Sequence, residues 1–75
     1  MTTITLYSTS ACELCERAAR LLGSMPELTG VTVRVVDIVS DDRLYRRLAT
    51  RIPVLEVDGI ELDWPFNADD VIAAL

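Results

Sequence analysis

Two cysteines three residues apart, Cys12-Glu13-Leu14-Cys15, stand between a strand-like run and a helix-like run. Upstream, Ile4-Thr5-Leu6-Tyr7 reads as a strand; downstream, Arg17 to Leu22 carries the pattern of a helix. This placement restricts the fold, because the pair must sit where a strand hands over to a helix. The first cysteine then falls at the helix start, where unpaired amide N–H groups and the helix dipole favour negative charge. Two cysteines at this spacing can also exchange a disulfide, so the pair reads as a dithiol redox motif.

The rest of the chain supplies alternating strands and helices. Ser8-Thr9-Ser10 offers turn and helix-cap residues, and the first helix is expected from about Ala11 to Leu22. Leu14, Ala18, Leu21 and Leu22 recur at helical spacing, as do Cys15, Ala19 and Leu22. Glu13–Arg17 and Glu16–Arg20 are i,i+4 pairs in the favourable order. Gly23-Ser24 ends this helix and Pro26 prevents its continuation. Val31 to Ile38, rich in β-branched residues, is a second strand; Ser40-Asp41-Asp42 opens a second helix reaching Thr50, with Leu44 and Leu48 toward the core. Val54 to Val57 and Ile60 to Leu62 form a hairpin around Asp58-Gly59. Asn67 caps a last helix with an apolar side of Val71, Ile72 and Leu75. The order β-α-β-α-β-β-α predicts an α/β fold in one domain over residues 1–75. A right-handed crossover would join the first two strands in parallel, and helices on both faces would cover a four-stranded mixed sheet.

Composition narrows the function. The net charge is −5, from 12 acidic and 7 basic residues, which argues against nucleic acid, whose phosphates must be neutralised by cations. All basic residues are Arg; with no His, imidazole base catalysis and imidazole metal sites are excluded. No apolar run approaches the roughly 20 residues of a membrane span, and the N-terminus has no secretory pattern. An intracellular, cytoplasmic setting with reduced thiols is expected, with no membrane partner.

At this level of detail the chain resembles the glutaredoxin-like proteins of the thioredoxin superfamily, and most closely a group of short bacterial members. The resemblance rests on Leu6-Tyr7-Ser8 leading into Cys12-Glu13-Leu14-Cys15, on Arg51-Ile52-Pro53-Val54, on Asp58-Gly59, and on the tail Leu62-Asp63-Trp64-Pro65-Phe66. It implies the thioredoxin-like fold, with Pro53 as a cis proline facing the active site and Ile52 presenting backbone donor and acceptor groups to an extended thiol substrate. Taken by itself, Pro53 reads as an ordinary trans proline opening a strand. The family role makes Cys12 the nucleophile and Cys15 the resolving thiol. The chain departs from many dithiol glutaredoxins. Glu13 and Leu14 replace Pro and an aromatic between the cysteines, a lysine before the motif is absent, and Asp63 to Asp70 lacks a Gly-Gly-Asp segment that holds glutathione.

Disulfide exchange needs a thiolate to attack a disulfide sulfur and a second thiol to resolve the mixed disulfide. The helix start favours a thiolate on Cys12, whereas Glu13 and Glu16 oppose it. As a purely structural staple, a four-residue loop would constrain little. Two cysteines are too few for a closed zinc site, so no metal site is expected within one chain. Two chains together could still hold an iron–sulfur cluster on four thiolates.

Arg43, Arg46, Arg47 and Arg51 cluster on or after the second helix. The resemblance puts cations for glutathione's carboxylates here, with Arg51 a candidate beside Ile52 and Pro53; Asp42–Arg46 is an ordinary i,i+4 pair and Arg43 belongs to a solvated helix face, while Arg47 and Arg51 stay open between the two roles. Trp64, Pro65 and Phe66 are expected to pack the sheet edge and last helix. Tyr7 either packs or approaches the dithiol. The leading reading is a monomeric thiol–disulfide oxidoreductase acting on protein or glutathione mixed disulfides through Cys12 and Cys15. It needs no cofactor, and glutathione could recharge it. A redox-inactive binding module and a dimeric iron–sulfur carrier are the alternatives.

Overall fold

The computed structural model describes residues 2–75. Strand β1 is Thr3–Ser8, helix α1 Glu13–Gly23, strand β2 Thr32–Asp37, helix α2 Asp42–Leu48, strands β3 and β4 Val54–Val57 and Ile60–Asp63, and helix α3 Ala68–Ala74. Single 3₁₀ turns, Pro26–Leu28 and Ile38–Ser40, precede β2 and α2. The sheet order is β2-β1-β3-β4. β1 pairs in parallel with β2, and β3 pairs antiparallel with both β1 and β4. This is the thioredoxin-like layout expected from the element order.

Alternation along the strands decides which helix covers which face. Ile4 and Leu6 lie opposite Val57 and Leu55 in register, and all four point to one side. There they pack with Ala18 and Leu22 of α1, Val71 of α3, and Phe66. Val54 points to the other side and meets Ile38 and Leu48, with Tyr7, Leu44 and Ile52 around them. α2 therefore covers one face, and α1 with α3 the other.

The turns follow from local chemistry. Asp58 (φ 49°) and Gly59 (φ 81°) both occupy the left-handed region that a tight two-residue hairpin demands. Asn67 closes a full capping box. Its side-chain Oδ1 accepts from the Asp70 N–H at 2.8 Å, and the Asp70 carboxylate accepts from the Asn67 N–H at 3.0 Å. Asn67→Ala removes one of the two bonds holding a seven-residue helix. It should cost about 1 kcal/mol in chemical denaturation, with the loss of helical signal concentrated in α3.

Several expectations shift. α1 begins at Glu13 and not near Ala11, because Ala11 adopts φ 54° and cannot join a right-handed helix. The cap is Cys12 itself and not Ser8-Thr9-Ser10. Leu14 is exposed, since the buried stripe is Cys15, Ala18 and Leu22 and Leu14 falls one residue, about 100° at 3.6 residues per turn, outside it. In α3 only Val71 is buried; Ala68 and Ala74 share its side, while Ile72 and Leu75 stay exposed. β2 is an edge strand with Val33 and Val35 exposed, beside a shallow apolar groove formed with Leu6, Ala19, Leu22 and Gly23. Among the described residues no helix is long and apolar enough to cross a membrane.

Candidate functional site

Cys12 and Cys15 are joined as a disulfide, with their Cα atoms 5.2 Å apart. Cys12 has extended backbone (φ −118°, ψ 106°), which turns its side chain back over the first turn of α1. Its Sγ accepts the Cys15 N–H at 3.2 Å, so the sulfur itself satisfies one of the open amide groups at the helix start. The Cys12 carbonyl accepts the Glu16 N–H at 3.1 Å and starts the helical ladder. Cys12 is half-buried and Cys15 is 4% exposed. Cys12 is therefore the more accessible of the two sulfurs.

The sheet register gathers three further features at this end. The β1–β3 pairing ends at Tyr7 opposite Val54, so the next residues, Ser8 and Pro53, lie at the end from which the dithiol loop leaves. The Ile52–Pro53 peptide bond is cis, and Pro53 is buried. Ile52 has less to offer than expected: its N–H donates to the Leu48 carbonyl at 3.0 Å, closing the end of α2, and the Arg51 N–H donates to the same oxygen at 2.8 Å. The Ile52 N–H is therefore not open. The β3–β4 register pairs Val54 with Asp63, so Trp64-Pro65 also falls at this end.

The Trp64–Pro65 bond is a second cis peptide, which the sequence reading missed. The signal was an aromatic residue before proline, since cis content in unfolded chains depends on that residue. Half-buried Trp64 packs edge-on against Phe66, with ring centroids 5.2 Å apart and planes at 84°. Trp64 and Phe66 thus pack as expected, whereas Pro65 is exposed.

Tyr7 points to the α2 face, with its hydroxyl donating to Glu56 Oε2 at 3.4 Å. Burial, with the Glu56 charge added, raises its pKa. It belongs to the packing around Leu48.

The arginines divide. β4 alternation puts Glu61 and Asp63 on the face that α2 covers, opposite Leu62. Arg47 pairs with Glu61. Arg51 donates from Nε and Nη2 to Asp63 Oδ1 at 3.1 and 2.8 Å, and its Nη2 lies 3.1 Å from Glu61 Oε1. The Arg47 hydrogen bond is the main cause holding the Glu61 carboxyl below its ordinary range, with Arg51 adding to it. These partners, 12 and 14 residues away, carry no local sequence signal. Glu13–Arg17 forms at 2.8 Å, whereas Glu16–Arg20 and Asp42–Arg46, expected at the same spacing, make no ion pair among the described residues. Nor does any group of three or more Cys, Asp or Glu side chains among them stand close enough for a metal ion.

Residues 3–75 match the family described as Glutaredoxin-like domain (DUF836). The chain is also similar to the X-ray structure of Northeast Structural Genomics target protein XcR50 from X. campestris, with 35% identity and a TM-score of 0.77 over 93% of this chain and 91% of that one. No curated protein matches it. With nearly its whole length matched, the chain belongs to the glutaredoxin-like domain family.

Proposed function

We propose that the protein is a thiol–disulfide oxidoreductase that reduces disulfides through Cys12 and Cys15. The observation that carries this reading is the Cys12–Cys15 disulfide at the cap of α1, with one sulfur reachable and the other screened. In the reduced protein, the Cys12 thiolate attacks one sulfur of a partner disulfide. A Cys12–partner bond forms, the partner's S–S bond breaks, and the second partner sulfur leaves as a thiolate that takes up a proton. Cys15 then loses its proton and attacks the Cys12 sulfur. The Cys12–Cys15 bond forms, and the first partner sulfur leaves as the second thiol. Two electrons pass from the dithiol to the partner, and an external dithiol reductant returns them.

The Cys15 N–H aimed at Cys12 Sγ serves both the attacking and the leaving thiolate, because it stabilises negative charge on that sulfur. Ile52 and the buried Pro53 lie at the same end of the sheet as the dithiol loop. The chain acts as a monomer, and a reducing compartment such as the cytoplasm suits a dithiol that must be recharged.

Equilibration in buffers of oxidised and reduced dithiothreitol, followed by acid quench and mass measurement, tests the reading. The expected result is one two-electron transition, read as the gain of two hydrogens, at a potential above about −300 mV, below which structural disulfides lie. A pair that stays oxidised at every ratio is a staple and not a shuttle, and the proposal fails.

A further inference from the structure

Leu14, between the two cysteines, is an apolar residue that the fold leaves unused. It stands one and two turns before Ala18 and Leu21, which pack in and against the larger core. Among the described residues Leu14 itself packs in neither core cluster, and it is 44% exposed. Glu13 and Glu16 already supply the acidic groups that the helix dipole favours in this first turn. What Leu14 adds to the fold is helix propensity, which Ala or Glu would supply as well.

Its place beside the reactive sulfur is fixed by the covalent chain. Cys12 is the cap of α1 and Leu14 the second residue inside it. Side chains on a helix tilt toward its N-terminus, and no earlier turn lies beneath this one, so Leu14 leans toward the cap. A partner disulfide comes to that same end, because Cys12 is the more accessible sulfur. Other segments at this end of the sheet add apolar surface. β2 ends at Asp37 opposite Ser8, and β4 at Asp63 opposite Val54. Exposed Val39, half-buried Trp64 and exposed Pro65 follow those two strand ends.

Building on the function proposed above, we infer that Leu14 is a specificity-determining residue: the protein prefers disulfides in polypeptide segments whose cysteine has an apolar neighbour, and that neighbour covers Leu14. The exchange is the one already written. The Cys12 thiolate attacks, the partner's S–S bond breaks, Cys15 resolves the adduct, and the partner leaves as two thiols. Leu14 touches no reacting atom. It acts by giving the partner's side chain an apolar surface from which both expel water as the Cys12–partner bond forms. Covering the open part of one leucine is worth about fivefold in rate.

Reduced protein mixed with excess disulfide, quenched in acid and read by mass for the loss of two hydrogens, tests this. Two substrates are symmetric disulfide dimers of a short one-cysteine peptide, with either Leu or Ser beside the cysteine; glutathione disulfide is the third. Each rate constant is divided by that of dithiothreitol with the same substrate, so that the substrate's own reactivity cancels. The wild-type chain is expected to favour the Leu peptide over the other two by about fivefold, in high salt as in low, since an apolar preference is not screened. Leu14→Ser should bring the ratio of Leu to Ser peptide near one, and Leu14→Met, apolar and of similar size, should keep it. A change in the potential of the cysteine pair itself would scale all three rates together and leave the ratio where it was. Leu14 is exposed, so both variants should fold.

Equal attack on the Leu and Ser peptides by the wild-type chain overturns the inference and leaves the oxidoreductase reading intact. A preference that persists in Leu14→Ser overturns the role given to Leu14. Oxidation of the wild-type chain by none of the three substrates overturns both readings together.

Discussion

Cys12→Ser is expected to abolish disulfide reduction, while Cys15→Ser stops the cycle one step later and accumulates a mixed disulfide. The thiolate is the nucleophile, and a serine hydroxyl cannot replace it at neutral pH. The first variant should lose at least about 10³-fold in turnover, down to the rate of the reductant alone. The second keeps its half-buried Cys12 at the cap of α1, with the Cys15→Ser backbone N–H still available to its sulfur. Attack proceeds, and the adduct then persists for lack of a resolving thiol. Intact-mass measurement after acid quench separates the outcomes: no adduct for Cys12→Ser, and one partner thiol per chain for Cys15→Ser. An adduct on Cys15 in the Cys12→Ser protein would invert the assignment of roles, which rests on the burial of Cys15.

Leu55→Ala should be the most destabilising single truncation in the chain. Leu55 is fully buried on β3, with Leu6 and Leu62 opposite it in register on the two flanking strands. Removing its side chain leaves a cavity at the centre of the larger core and should cost about 2–5 kcal/mol. A 75-residue domain has about 4–11 kcal/mol in total at 0.05–0.15 kcal/mol per residue. The loss would thus consume much of the margin and lower Tm by roughly 10 °C or more. Ile60→Ala, on the same sheet face but at the exposed edge strand, should cost within about 0.5 kcal/mol. Thermal melts of the two variants compare burial at constant chemistry. Equal losses would mean that the core is not organised around β3.

Elements whose signals are local were legible in the sequence. The Asp58-Gly59 hairpin needs two left-handed residues and has them; Asn67 and Asp70 sit at the spacing of a capping box; Val54 to Val57 has the strand's composition between turn signals. The dithiol was equally legible, because spacing and flanking pattern both belong to one short segment. Features set by three-dimensional neighbours were not. Leu14 and Ile72 look like core residues by spacing, and only the docking angle of their helices decides that they face water. The start of α1 slipped because Ala11 adopts a left-handed conformation that alanine does not advertise. The partners of Arg47 and Arg51 came from β4, where pairing register aligned two carboxylates with one helix face. The Ile52 N–H was lost to a different, local cause, a bond to the Leu48 carbonyl four residues back at the end of α2.

The central position of β1 has a consequence for how the protein is made. β1 precedes the other three strands in the chain, yet it needs β2 on one side and β3 on the other, and Ile4 meets its β3 partner only when Val57 has been added. Val71 closes the same core later still. The nascent chain thus presents its two thiols long before any sheet exists to shelter them. During translation the cysteines depend on their surroundings, and not on the fold, to stay reduced.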